Sequence, residues 1–290
     1  MRFSDSFTDY ELIDADNGER LERWGDILLI RPDPQIIWSG DRRDKRWNEA
    51  NAIYHRSQNG GGYWEQLKSV PDVWSIHYKE LTFRLKPMGF KHTGLFPEQA
   101  VNWEWMDQTI RAAKRPIRVL NLFAYTGGAT LACAAAGASV VHLDAAKGMV
   151  QWAKENAALS GLADRPIRWI VDDCQKFIQR EKRRQNSYEA IIMDPPSYGR
   201  GPTGEVWKLE ENIFELLLSA VELLSDKPLF FLLNSYTTGL SAAVMQYMLA
   251  TATKSFGGVT GAYEIGLPVT KSGLILPQGS TAVWTGSTNQ

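Results

Sequence analysis

From residue 117 to residue 255 the chain alternates short apolar runs with longer segments of helical spacing. The runs 117–123, 139–143, 167–171, 188–193 and 228–233 have strand length. Between and after them lie helical stretches at 127–136, 146–160, 174–185, 208–225 and 239–255. Parallel strands need a crossover, and a helix is the usual one. The alternation therefore restricts this region to a doubly wound α/β sheet with helices on both faces. After Phe256-Gly257-Gly258 the pattern changes. Val259–Leu267 and Thr281–Trp284 read as two strands without a helix between them, an antiparallel hairpin at the sheet edge.

Residues 1–100 read differently, as a small β-rich N-terminal domain ahead of a larger domain at 101–290. Glu19–Trp24 and Asp26–Ile30 look like strands, with Asp16-Asn17-Gly18 as a turn. Trp74-Ile76-Tyr78 and Leu81-Phe83-Leu85 alternate with polar neighbours, which predicts a hairpin with one buried face. Gly60-Gly61-Gly62 marks a loop between these pieces. A helix opens at Phe96-Pro97-Glu98-Gln99 and runs to Ala113.

Composition narrows the class further. With 44% hydrophobic and 22% charged residues the chain is ordinary for a globular protein, and no apolar run reaches the roughly 18 residues of a membrane span. The N-terminus carries no signal-peptide core, and two cysteines cannot make a disulfide framework, so a reducing cytoplasm is expected. The four histidines show no metal-ligand spacing, so no metal is expected. A net charge of −1 gives no global electrostatic case for nucleic acid.

In an open α/β sheet the ligand sits beyond the carboxyl ends of the strands. There the chain has a glycine turn after its first strand and carboxylates after the next three: Asp144, Asp172-Asp173 and Asp194. A strand turning through small residues into a helix N-terminus is a ligand cradle, with N–H groups facing the anionic end of the ligand. Asp144 follows at about the 20-residue offset of a group that binds ribose hydroxyls. A dinucleotide would need glycines where Phe123 and Tyr125 stand, which counts against NAD and FAD. Any one of these carboxylates alone would more often be a helix cap.

Together these segments resemble the class I S-adenosylmethionine-dependent methyltransferases, and among them the bacterial enzymes that methylate large-subunit ribosomal RNA. Asn121-Leu122-Phe123-Ala124-Tyr125-Thr126-Gly127-Gly128 is similar to the family's first motif. His142-Leu143-Asp144, with Asn156 in the next helix, is similar to the ribose motif, and Val171-Asp172-Asp173-Cys174 to the adenine motif. Asp194-Pro195-Pro196-Ser197-Tyr198 is similar to the fourth motif, and Thr93–Gln99 to a segment that precedes the cofactor domain.

The resemblance implies a Rossmann-like seven-stranded sheet, S-adenosylmethionine as cofactor and RNA as partner. Phe123–Gly128 would cradle the methionine part, Asp144 would accept from both ribose hydroxyls, and Asp172, Asp173 and Cys174 would line the adenine. Asp194, Pro195 and Pro196 would stand where the methyl points, Asp194 also touching the cofactor there, with Tyr198 stacking on a flat substrate. Arg200, Trp207 and Lys208, in the glycine-rich loop 197–208, are expected to meet the substrate. Carbon-5 methylation of cytosine needs a cysteine near the ends of the fourth and fifth strands, and Ser197 and Asn234-Ser235-Tyr236 offer none; nitrogen or oxygen acceptors fit better. The alternatives are a methyltransferase of a small molecule or protein, a nucleotide-dependent oxidoreductase, and a non-catalytic RNA-binding protein. The N-terminal domain would grip substrate or join copies of the chain as a homo-oligomer.

Overall fold

The structure is a computed structural model that describes residues 1–42, 44–57, 61–200, 206–237 and 239–287, Arg200 in its backbone alone. The chain groups into two compact units. One comprises Phe3–Ala100 with Gly266–Pro277; the other comprises Met1–Arg2, Val101–Ile265 and Gln278–Gln290.

The first unit is β-rich. Strands β1 (Tyr10–Asp16), β2 (Glu19–Trp24), β3 (Ile27–Pro32), β4 (Ala52–Arg56) and β5 (Gly62–Gln66) form one sheet in that order. Asn17 and Gly18 both take positive φ, the two-residue hairpin geometry that matches strand twist. The second hairpin, β6 (Trp74–Tyr78) and β7 (Leu81–Leu85), pairs Trp74 with Leu85, Ile76 with Phe83 and Tyr78 with Leu81, and buries Ile76, Tyr78, Leu81, Phe83 and Leu85 on the expected face. Strand β1 escaped the pattern reading because its register shifts between Leu12 and Asp14, which breaks the alternation. A buried ion cluster lies within this unit: Arg31 grips Glu22 through two nitrogens at 2.6 and 2.8 Å, and Tyr10 donates to the same carboxylate. Burial alone would raise the Glu22 carboxyl, but the guanidinium groups of Arg20 and Arg31 hold it down at about 2.

The main segment of the second unit begins in α1 (Ala100–Ala113), which follows a single tight turn at Pro97–Gln99. Strand and helix then alternate: β8 (Arg118–Leu122), α2 (Gly128–Ala135), β9 (Ser139–Asp144), α3 (Lys147–Leu159), β10 (Ile167–Val171), α4 (Cys174–Arg183) and β11 (Ala190–Met193). A short ribbon, β12 (Tyr198–Arg200) with β13 (Val206–Lys208), leads into α5 (Leu209–Val221). The chain continues through β14 (Phe230–Ser235), α6 (Ala242–Ala252), β15 (Val259–Pro268) and β16 (Ile275–Thr285). Seven strands pair in the order β10-β9-β8-β11-β14-β16-β15, the first five parallel and β16 antiparallel to β14. The expected doubly wound sheet with a terminal strand pair at its edge is the one observed. Leu120, Leu122, Ile191, Met193, Phe231 and Leu233 from the strands pack with Phe177, Ile178, Ile213, Leu217, Met245 and Leu249 from α4, α5 and α6. Full burial of each such side chain stabilises the fold by about 1.5–3 kcal/mol. The glycine-rich stretch expected as loop is a ribbon at its base, and 201–205 lie outside the described residues.

Candidate active site

The sheet's register assembles the site. Leu143, Leu122, Met193 and Leu233 pair in one row across β9, β8, β11 and β14. One step further along stand Asp144, Phe123, Asp194 and Asn234, with Thr281 of β16 beside Asn234. The strand order reverses at β8, whose crossover leads to β9 on one side while β11 lies on the other. That switch point, where two crossovers part, is where an open α/β sheet leaves a crevice.

The turn after β8 takes a glycine-type path with few glycines. Phe123, Tyr125 and Gly127 all have positive φ, at 57°, 50° and 93°. For the two aromatics this conformation costs on the order of 1 kcal/mol each. Partners hold it in place: Ala124 N–H donates to Leu143 O at 3.0 Å, and Gly127 N–H to Ala124 O at 3.0 Å. Asn156 Nδ2 of α3 donates to Thr126 O at 2.9 Å, so the asparagine of the ribose motif braces the turn from behind. Gly127 and Gly128 have no room for a side chain. A Cβ at Gly127 would come 3.0 Å from Ala153 Cβ, and one at Gly128 2.6 Å from Trp103 Cζ2.

Asp144 accepts at both oxygens, from Tyr125 N–H at 2.9 Å and from Ala146 N–H at 2.8 Å. Burial raises its carboxyl above the ordinary range, and the two backbone donors pull it back. A carboxylate offers about four lone-pair sites, so two stay available for a ligand's paired hydroxyls. Deeper in the sheet Asn121 Nδ2 donates to Thr130 Oγ1 at 2.9 Å, and that oxygen meets His142 Nδ1 at 2.9 Å. All three are buried and tie β8, α2 and β9 together beneath the turn.

The acidic pair after β10 has local partners. Asp173 caps α4 by accepting Lys176 N–H at 2.9 Å. Asp172 pairs with Arg180 and accepts Asp173 N–H at 2.9 Å. Cys174 is buried, and burial pushes its thiol up. Cys133 is buried likewise in α2, its thiol also pushed up by burial.

Asp194 leaves β11 partly buried and accepts Asn234 Nδ2 at 2.9 Å. Pro195 is buried, Pro196 is exposed, and Tyr198 is 52% exposed. Tyr198 pairs with Lys208, and Arg200 with Val206, across the ribbon. The Arg200 side chain lies outside the described residues. Trp207 donates its Nε1 to Pro196 O at 2.6 Å and packs on Phe123 with ring centroids 5.9 Å apart, which makes it an anchor between ribbon and turn. Lys208 Nζ pairs with Glu211 at 2.7 Å. Asn234 and Thr281 were not anticipated as site residues. Asn234 lies at a strand end, where the sequence already showed a polar step out of Leu232-Leu233, but Thr281 had no local signal.

Among the described residues no group of three or more His, Cys, Asp or Glu is placed to hold a metal, and no helix is long and apolar enough to cross a membrane. The residues at the strand ends suit S-adenosylmethionine: a tight turn without side chains at 127 and 128, and a carboxylate anchored with lone pairs to spare.

Comparison with known proteins bears on the same segment. Residues 52–227 match the family model for S-adenosylmethionine-dependent methyltransferases. The fold is similar to the crystal structure of a SAM-dependent methyltransferase from Agrobacterium tumefaciens, with a TM-score of 0.92 and 39% identity, covering 98% of this chain and 92% of that one. The sequence is also similar to proteins named ribosomal RNA large subunit methyltransferase K/L. The one from Shewanella frigidimarina is 34% identical over 145 residues, 49% of this chain and 20% of that protein. The one from Shewanella oneidensis is 33% identical over 211 residues, 70% of this chain and 27% of that protein. The match thus spans about a fifth to a quarter of those longer relatives. With the family model matched across the β8 turn, Asp144 and Asp194, and a solved relative alike along nearly its whole length, the chain belongs to the S-adenosylmethionine-dependent methyltransferase family.

Proposed function

We propose that this methyltransferase acts on large-subunit ribosomal RNA, at a nitrogen or oxygen acceptor. The observation that carries the reading is the register of β11 on β8: Met193 pairs with Leu122, so Asp194-Pro195-Pro196 leaves the sheet beside the cofactor turn. The likeness to proteins named for ribosomal RNA supports the substrate class.

In this reading residues 101–290 carry methyl transfer. The turn Phe123–Gly128 holds the methionine part of the cofactor, Asp144 the ribose hydroxyls, and Asp172, Asp173 and Cys174 the adenine side. When bound, S-adenosylmethionine supplies a methyl group on a sulfonium centre. Asp194 and the adjoining proline carbonyls accept hydrogen bonds from the acceptor group, aim its lone pair along the line of displacement and hold it there; most of the rate gain is positioning. Tyr198 stacks on the exposed base, and Arg200 and Lys208 meet its backbone. Burial raises both thiols, Cys133 and Cys174, so neither supplies the thiolate that carbon-5 methylation requires. The β-rich unit grips the RNA or joins copies of the chain. The enzyme works in the cytoplasm, where its RNA is and where free cysteines such as these two persist.

A second reading, methylation of a small molecule or protein, is favoured by the net charge of −1. The test is transfer of labelled methyl to unmodified large-subunit ribosomal RNA, with and without Asp194→Ala. Label in RNA that vanishes in the variant, with affinity falling steeply as salt rises, is expected. Unlabelled RNA beside labelled protein or small-molecule extract would overturn the RNA assignment. RNA binding without any transfer by the wild type would leave a non-catalytic binding protein.

A further inference from the structure

A line of buried side chains runs away from Asp194. Asn234 Nδ2 donates to Asp194 Oδ1 at 2.9 Å, and Thr281 Oγ1 donates to Asn234 Oδ1 at 2.8 Å. Asn102 Nδ2 donates to Thr281 Oγ1 at 3.0 Å, and the Tyr263 hydroxyl donates to Asn102 Oδ1 at 2.9 Å. The Arg2 guanidinium lies over the Tyr263 ring, 4.1 Å from its centroid. Asn102, Asn234 and Thr281 are fully buried and Tyr263 nearly so. They come from α1, β14, β16 and β15, so the tertiary fold and no local motif brings them into line.

The polarity of the line is set from its inner end. A carboxylate accepts hydrogen bonds and donates none. Asn234 must therefore turn its amino group to Asp194 and its carbonyl away. That carbonyl needs a donor, which the Thr281 hydroxyl supplies. The hydroxyl oxygen then accepts from the Asn102 amino group, whose carbonyl accepts from the phenol. Burial pushes the Tyr263 phenol up to about 12, against the opposing pull of Arg2, so it is a donor at neutral pH. Apolar groups of matching shape would fill these positions at little or no loss of stability. Core packing therefore does not account for four polar side chains ordered head to tail.

We propose that Asn234, Thr281, Asn102 and Tyr263 are positioning residues that fix the Asp194 carboxylate in the orientation methyl transfer needs. This rests on the reading of Asp194 as the group that orients the acceptor. The relay acts on kcat and leaves cofactor binding alone, because none of its members belongs to the β8 turn or the Asp144 corner.

The test measures kcat and KM for methyl transfer to unmodified large-subunit ribosomal RNA, with calorimetric affinity for S-adenosylmethionine and thermal melts on every variant. Thr281→Val keeps the shape and removes both hydrogen bonds; it should lower kcat by about ten- to a hundredfold, the scale of a sub-ångström misplacement. KM and cofactor affinity should stay within about threefold, Thr281→Ser should restore kcat, and Thr281→Val should add nothing in an Asp194→Ala background. Tyr263→Phe removes one oxygen at the far end and, if Thr281→Val folds poorly, tests the same relay with a smaller loss of kcat. Wild-type kcat in Thr281→Val and Tyr263→Phe, beside a lost one in Asp194→Ala, overturns the relay and spares the role of Asp194. Wild-type kcat in Asp194→Ala overturns both.

Discussion

The carboxylate of Asp144 accepts the backbone N–H of Tyr125 at 2.9 Å, so the end of β9 closes the turn that leaves β8. Tyr125 sits there at a positive φ of 50°, a conformation that glycine adopts without penalty and tyrosine does not. A hydrogen bond to a charged acceptor contributes about 1.5–3 kcal/mol, enough to hold the strained residue. The same carboxylate is therefore both a brace for the turn and the candidate ribose ligand.

Crowding beneath the turn gives a first prediction. A methyl group at Gly128 would meet the buried Trp103 ring at 2.6 Å. Gly128→Ala should lower stability in urea by about 1–3 kcal/mol. Gly148→Ala is the control: its Cβ meets nothing within 4 Å in helix α3, and the change should be neutral or stabilising by up to about 1 kcal/mol.

Most of the catalytic unit could be read from hydrophobic period alone. The five parallel strands β8, β9, β10, β11 and β14 are largely apolar runs between turn signals, and the ends of these strands and of the helices between them lie within four positions of those expected, whereas the ribbon β12–β13 carried no such signal. The β-rich unit was harder, because a bulge in β1 and the polar, half-exposed β5 break the alternation that marks a strand. In the site, positions were legible and partners were not. Asp144 and Asp194 stand out as carboxylates ending apolar strands, whereas Asn102, 179 residues from Thr281, shows its role only when the sheet closes. Asp173 illustrates the converse: one carboxylate can fit a ligand motif and also cap its helix.

Acid should loosen the buried polar group under the turn. His142 is fully buried, and burial holds it at about 3 against the opposing pull of the Tyr125 backbone. In the unfolded chain it takes a proton near 6.5, so the unfolded state binds more protons between those values. Stability from this residue is complete above the unfolded value and is lost as pH falls towards the folded one. Between pH 7 and pH 5 the loss should be about 2 kcal/mol. His142→Gln should be less stable than wild type at pH 7 and lose less on acidification, so the two urea curves converge. Parallel curves would show that His142 carries no such proton linkage. His92 of the β-rich unit, lowered to about 3 by burial and then by Arg31, adds acid sensitivity of the same sign and is unchanged in this comparison.

Trp207 ties the ribbon to the Asp194-Pro195-Pro196 turn through Pro196 O. Trp207→Phe keeps an aromatic against Phe123 and removes the donor. Losing one hydrogen bond of about 1 kcal/mol should raise KM for RNA by about fivefold. Because an aromatic ring still packs on Phe123, cofactor affinity should not move. An unchanged KM would mean that the ribbon is held by other contacts.

Calorimetric titration of S-adenosylmethionine and its demethylated product into wild type and Asp144→Ala tests the site most directly. The account predicts saturable binding of both to the wild type. In the variant, melting shows a folded protein and the affinity falls by at least about a hundredfold, the loss of two hydrogen bonds to a charged acceptor. Equal affinity in the two proteins would contradict the assignment of Asp144 and of the β8 turn as the cofactor cradle.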